Sequence, residues 1–231
     1  MGSGTAIRLA VLEALYAING KSATRDQLVL RSGRGGTSGV GVTTYFEGGF
    51  VLDLGRSNDG SAFRPSSLGS ESPSPTTLPP LAMPDWPVLL CFPREIATKS
   101  QKEEIEFFER TAPLAPADSF QAAYEAVFGM YAAVAEKDRL SFCHAVEAMQ
   151  QCAWKAAEWQ HHDPWLSRLG DRLRGLGVDC CGMSSLGPLL FCLGESAVLH
   201  EVMHSQAFPD CDMMLTGPIT EGRSMTVTPL A

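Results

Sequence analysis

The densest concentration of chemically useful groups is Arg31-Ser32-Gly33-Arg34-Gly35-Gly36-Thr37-Ser38-Gly39-Val40-Gly41, where two guanidiniums stand among five glycines and several hydroxyls. Such a segment suits an anion. Guanidinium forks make paired contacts with phosphate or carboxylate, and glycines leave backbone N–H groups accessible. Composition alone fits a flexible loop equally well. Two further segments share this character. Gly2-Ser3-Gly4-Thr5 stands where a helix would begin, and a helix N-terminus offers unpaired N–H groups and partial positive charge. Gly182-Met183-Ser184-Ser185-Leu186-Gly187-Pro188 stands between a helix and a strand. Taken singly, the first is as compatible with a flexible tail and the last with an ordinary turn.

A different chemistry is spelled by His200-Glu201-Val202-Met203-His204, which fits the H-E-x-x-H pattern of zinc peptidases. Zinc needs a third protein ligand, for which Asp212 or Glu221 would have to serve, and a solvated helix accounts for the pattern as well. His161-His162-Asp163 reads as a polar turn between helices.

These segments need elements to position them. Thr5–Ile18 is apolar on nearly every side, the mark of a helix buried all round, and Asn19-Gly20 would end it. A short helix capped by Thr24 runs to about Leu30. Thr43–Phe46 and Gly49–Leu54 read as two strands joined at Glu47-Gly48-Gly49. Residues Ser66–Pro84, rich in Ser, Pro and Thr, form a connector. Pro87–Phe92 is a buried strand. Helices follow at Ser100–Arg110, from Asp118 or Ser119 to about Val134, at Asp138–Glu158, and from Pro164 to Gly177. Cys181–Gly187 is a loop and Leu189–Leu193 a strand. A helix at Ser196–His204 and strands at Asp212–Leu215 and Ser224–Thr228 complete the chain. Strands interleaved with pairs of helices indicate an α+β sandwich.

The 231 residues carry a formal net charge of −8 and are 45% hydrophobic. The acidic balance (pI near 5.1) argues against a sequence-independent nucleic-acid binder. It does not argue against phosphate, because a local nest of N–H groups outweighs net charge at short range. The seven cysteines include no Cys-x-x-Cys pair and read as buried, reduced thiols. With neither a membrane span nor a signal peptide in view, the expected compartment is the cytoplasm.

In this order, the three loops resemble the superfamily of galacto-, homoserine, mevalonate and phosphomevalonate kinases (GHMP kinases). Gly2-Ser3-Gly4-Thr5 is similar to the tail of its phosphate loop, and Gly182–Gly187 to its second glycine-rich loop. Within that superfamily, three stretches resemble the β-ribofuranosylaminobenzene 5'-phosphate synthases. They are Gly33–Gly41 with Phe46-Glu47-Gly48-Gly49-Phe50-Val51-Leu52-Asp53, then Phe63-Arg64-Pro65-Ser66-Ser67, and Met183–Pro188.

The resemblance implies a GHMP-kinase-like α+β fold. Residues 1–68 would be a remnant of the ribosomal-S5-domain-2-like N-terminal domain, 69–85 a linker, and 86–231 a ferredoxin-like α/β sandwich. It also implies an N-terminally truncated chain, since the family's domain opens with strands that cover the helix from Thr5. A helix stripped of that cover implies poor solubility or a homodimer. The implied reaction joins phosphoribosyl pyrophosphate to p-aminobenzoate with release of pyrophosphate and carbon dioxide, a step of tetrahydromethanopterin-type cofactor synthesis. Arg34 and Asp53 are the implied catalytic groups, and Mg²⁺ is the implied cofactor, with no organic one. Phosphate contacts fall to Gly2, Ser3, Gly4, Thr5, Gly35, Gly36, Thr37, Ser38, Gly39, Arg64, Ser66, Ser184, Ser185 and Gly187. The alternatives are another C-nucleoside synthase, a small-molecule kinase, or an inactive homologue.

Overall fold

The structure is a computed structural model that describes residues 3–34, 36–55 and 75–228. It divides into two compact units, one running to Ala82 and taking in the stretch from Ile219, the other spanning Met83–Pro218. The sequence reading placed residues 86–231 in the second domain.

Among the described residues, the first unit holds three helices: α1 (Ser3–Ile18), α2 (Arg25–Ser32) and α3 (Val40–Glu47). A capping box between Thr24 and Gln27 starts α2, and Gly33 in the left-handed region ends it. Leu9, Leu28 and Val42, one from each helix, form the buried core. That core takes one face of α1. The other face leaves Ile7, Val11, Leu15 and Ile18 between 48% and 75% exposed, so α1 is not buried all round as its composition led us to expect.

The expected strand at Thr43–Phe46 is part of α3. Its β-branched residues favour strands only weakly, and helical spacing sets Val42, Tyr45 and Phe46 against the core. Residues after Gly49 do run extended. Phe50 and Leu81 exchange backbone hydrogen bonds of 2.8 and 3.0 Å, and Leu78 donates to Leu52 at 2.9 Å. These remain isolated bridges, not a regular strand. Their partner segment contains Pro79 and Pro80, which have no N–H to give a ladder. That partner lies in the stretch read as a free connector. The stretch from Ile219 is held at Gly49 N–H to Ile219 O (2.8 Å) and Arg223 N–H to Tyr45 O (2.8 Å). The strand expected at Ser224–Thr228 does not form: after Arg223 the exposed backbone extends no ladder.

The second unit is an antiparallel sheet of β1 (Val88–Pro93), β2 (Cys180–Met183), β3 (Leu190–Leu193) and β4 (Cys211–Thr216) in the order β2-β3-β1-β4. Helices α4 (Gln101–Thr111), α5 (Pro116–Tyr124), α6 (Ala132–Glu136), α7 (Arg139–Gln151), α8 (Ala153–His162) and α9 (Trp165–Gly175) lie between β1 and β2, and α10 (Ser196–His204) lies between β3 and β4. A π-helical stretch, Glu125–Tyr131, links α5 to α6. This is the split β-α-β plan of a ferredoxin-like sandwich. Leu89, Cys91, Leu166, Leu173, Leu190 and Leu199 anchor its core. All seven cysteines are buried free thiols. The sequence reading made Asp138–Glu158 one helix, but extended backbone at Cys152 (ψ 147°) divides it into α7 and α8. The expected loop from Cys181 begins as strand β2.

A candidate anion site and the loops that form it

In the first unit, two of the three loops meet. The first-turn N–H groups of α1 have no partner within the helix. Thr5, 7% exposed, sits in that turn and accepts a 3.0 Å hydrogen bond from Arg34 Nε. The same guanidinium lies beside Gly4, where an added Cβ would meet Nη2 at 3.7 Å. A cation at the positive end of a helix opposes the helix dipole. The arrangement becomes favourable when an anion lies between them.

Helix α3 brings a second N-terminus to the same place, since a Cβ on Gly41 would stand 3.3 Å from the Thr5 side chain. The approach of α3 depends on Asp53. Its Oδ2 accepts from Gly39 N–H at 2.8 Å and from Ser38 Oγ at 3.1 Å, and its Oδ1 accepts from Gly55 N–H at 2.7 Å. Asp53 thus ties down the turn that leads into α3. Gly39 must be glycine there, because a Cβ would stand 2.9 Å from Thr77 Cγ2.

Asp53 was expected to act in catalysis or to hold Mg²⁺. Three donors already surround its carboxylate, and the described residues contain no group of three or more His, Cys, Asp or Glu able to hold a metal. These bonds fix the Ser38–Gly39 turn. Gly36, Thr37, Ser38 and Gly39 lie along the loop between Arg34 and α3. Ser3 and Gly4 are in α1. Gly2, Gly35, Arg64 and Ser66 lie outside the described residues.

Behind this loop, Arg223 grips Glu13 of α1 through both carboxylate oxygens, and Tyr45 Oη donates to Glu13 at 2.7 Å. Arg223 holds the Glu13 carboxyl below the usual carboxylate range. Burial, and the hydrogen bond to Glu13, push the Tyr45 phenol up to about 12. The chain passes so near α3 that a Cβ on Gly48 would lie 2.5 Å from the Glu221 backbone.

The third loop belongs to the second unit and follows edge strand β2. Side chains from α7 and α9 take the place of a neighbouring strand. Cys181 N–H donates to Glu147 at 2.7 Å, Met183 N–H donates to Gln150 at 3.0 Å, and Arg174 donates to Cys181 O at 2.9 Å. Past the strand, Lys155, 4% exposed, donates to Met183 O at 2.7 Å and Ser185 O at 2.8 Å while pairing with Glu158 at 2.6 Å. Lys99 Nζ and His162 Nε2 both donate to Leu186 O, at 3.0 and 2.8 Å. Ser184 N–H goes to Leu189 O, and Ser185 and Gly187 take positive φ of 48° and 75°. Sequence reading named Ser184, Ser185 and Gly187 but missed the groups that hold them. A signal was present: Lys155, Glu158, Trp159 and His162 share one helical stripe, and charges stand where apolar residues were due.

His200 and His204 are used locally. Each Nδ1–H donates at 2.8 Å to the carbonyl four residues earlier, Ser196 O and His200 O. Among the described residues no further ligand gathers with them.

These loops can be set beside those of known proteins. No protein-family model matches the chain. It is 33% identical over 199 residues to the β-ribofuranosylphenol 5'-phosphate synthase of Archaeoglobus fulgidus, a match covering 85% of this chain and 61% of that protein. The synthase of the same name from Methanothermobacter thermautotrophicus is 32% identical over 192 residues, covering 83% of this chain and 58% of that one. The chain is homologous to these synthases. It spans about three-fifths of the length of the curated relatives it matches. A β-ribofuranosylphenol 5'-phosphate synthase of Methanocaldococcus jannaschii is 28% identical over 206 residues, with 87% and 61% covered. Among solved structures, homoserine kinase from Cytophaga hutchinsonii superposes with a TM-score of 0.60 at 15% identity, covering 90% of this chain and 62% of that one. Leishmania major mevalonate kinase, solved with R-mevalonate, gives 0.59 at 15% identity, covering 97% and 67%. The fold is that of the GHMP kinases.

Proposed function

We propose that the chain belongs to an enzyme that transfers the phosphoribosyl group of phosphoribosyl pyrophosphate to a para-substituted benzoic acid. The bond from the anomeric carbon to pyrophosphate breaks. The ring carbon bearing the carboxylate attacks the anomeric carbon, and the carbon–carboxylate bond then breaks to restore aromaticity. Pyrophosphate and carbon dioxide leave, and a C-riboside 5'-phosphate remains. The observation that carries this reading is the Arg34–Thr5 hydrogen bond, which places a guanidinium on the α1 N-terminus and makes a seat for phosphate. Similarity to the phosphate-named relatives over most of the chain supports it.

Within this reading, Arg34 and the amides at Ser3–Thr5 stabilise phosphate charge that grows as the leaving group departs. Asp53 positions the turn and does not touch substrate. Ser184, Ser185 and Gly187 are assigned to phosphate contacts. Mg²⁺ would be held chiefly through the pyrophosphate oxygens and would offset their charge. The relatives' name carries a phenol where the sequence resemblance suggested an aminobenzene, so p-hydroxybenzoate stands beside p-aminobenzoate as acceptor. The exposed α1 stripe is our assignment for self-association, checked by sedimentation. Among the described residues no helix is long and apolar enough to cross a membrane, and we assign the protein to the cytoplasm.

The test is incubation with phosphoribosyl pyrophosphate and each acid, following carbon dioxide release, with Arg34→Ala as control. Turnover that falls about a hundredfold on this substitution supports the reading. Nucleotide hydrolysis with homoserine or mevalonate, and no carbon dioxide from either acid, would favour the kinase reading that the solved structures suggest.

A further inference from the structure

We propose that Lys155 is the positioning residue of the third loop, holding it so that the Leu186 amide faces outward as a donor to pyrophosphate oxygen. This rests on the phosphoribosyl-transfer reading. Three carbonyls along the loop, those of Met183, Ser185 and Leu186, point at cationic or imidazole donors: buried Lys155 for the first two, half-buried Lys99 and His162 for the third. In a trans peptide the N–H points opposite to the C=O of the same unit. The Ser185 carbonyl turned toward Lys155 therefore sends the Leu186 N–H to the opposite side of the loop. The neighbouring units obey the same rule and spend their N–H groups internally, Ser184 on Leu189 O and Gly187 on Ser184 O, each at 2.9 Å.

A buried ammonium is an expensive way to hold a turn. Glu158 supplies its countercharge at 2.6 Å, and the pair sits in α8 with side chains 5% and 4% exposed. An apolar pair of similar volume often serves stability as well or better, so stability alone does not account for placing a cation here. What Lys155 adds is direction. Three hydrogen bonds from one Nζ fix the tilt of two peptide planes, and the amide opposite is preset for an anion.

The experiment uses the full ¹⁵N-labelled chain titrated with inorganic pyrophosphate. In the wild type the Leu186 amide resonance should shift on saturation. In Lys155→Met/Glu158→Leu, cooperative unfolding should be retained, pyrophosphate affinity should fall about tenfold, and the Leu186 shift should be lost. Should that variant not fold, Lys155→Arg replaces it with the same expectation, because a planar fork cannot reach the same three acceptors. A Leu186 amide unmoved by pyrophosphate, or a folded variant that binds as tightly as wild type, overturns the proposal. Carbon dioxide release with an unmoved Leu186 amide overturns it while leaving the reaction intact. A Leu186 shift without release from either acid upholds it and removes the reaction.

Discussion

The two units hold their glycine-rich loops by opposite means. In the first, the Arg34–Gly41 loop rests on exposed and half-buried hydrogen bonds: Arg34 to Thr5, Ser38 and Gly39 to Asp53, and a surface clamp from Arg223 to Glu13. Among the described residues, the core beneath it is the small cluster of Leu9, Leu28 and Val42, against a much larger cluster in the sandwich of the second unit. In the second unit the Ser184–Gly187 loop is fixed from behind by a buried ion pair and the tail of a hydrogen-bonded edge strand. The contrast teaches where each loop's geometry comes from. The first depends on glycines that let helices approach, whereas the second depends on a deep cation that aims carbonyls.

The difference can be broken from either side. Lys155→Ala leaves Glu158 buried without its partner, so unfolding free energy should fall by roughly 3–5 kcal/mol, measured by denaturant titration. A loss under 1 kcal/mol would mean that the ion pair is not what holds the second loop. Leu9→Ala opens a cavity in the small first core. The expected loss is about 2–4 kcal/mol, toward the lower end if the thin shell around it collapses. Retention of a single unfolding transition in this variant would show that the units unfold together.

Arg34→Ala should lower carbon dioxide release by about a hundredfold, the scale of one lost charge-stabilising donor. Its melting temperature should stay close to wild type, because Thr5 can be served by water. A parallel collapse of folding would make Arg34 a structural strut instead.

Smaller again is the effect of pH on the Arg223 clamp. Since Arg223 holds the Glu13 carboxyl below its ordinary range, the unfolded chain takes up this proton first as pH falls. The clamp's contribution is therefore complete above the ordinary carboxylate range and is lost as pH drops through the lower folded value. Thermal melts of wild type and Glu13→Gln should differ near about pH 7 and converge as pH falls through the lowered folded value. The smallest expected change is Ile7→Ser on the exposed α1 stripe. Stability should move by no more than about 0.5 kcal/mol, with less self-association in sedimentation.

The loops themselves were legible in the sequence because their signals are local: glycine runs, serines and arginines in a fixed order. Helix limits were legible for the same reason at α2 and α4, where Thr24 with Gln27 and Ser100 with Glu103 form capping boxes. Local signals failed where partners lie far along the chain. Val40–Glu47 carries β-branched residues, yet contact with Leu9 and Leu28 made it a helix. Asp53 presented itself as a free carboxylate, and only the folded loop revealed three donors around it. The sequence reading gave Lys155 and Glu158 no role, and only the fold showed them as a buried pair.

By itself, then, the sequence determined the α+β class, the kinship with the synthases and the positions of three anion-suited loops, because each is written in neighbouring residues. Tertiary structure alone decided which groups aim those loops. It set Arg34 over the start of α1, tied Asp53 to the turn that leads into α3 and turned Lys155 inward, because hydrogen-bond direction and burial are properties of residues that meet only when the chain has folded.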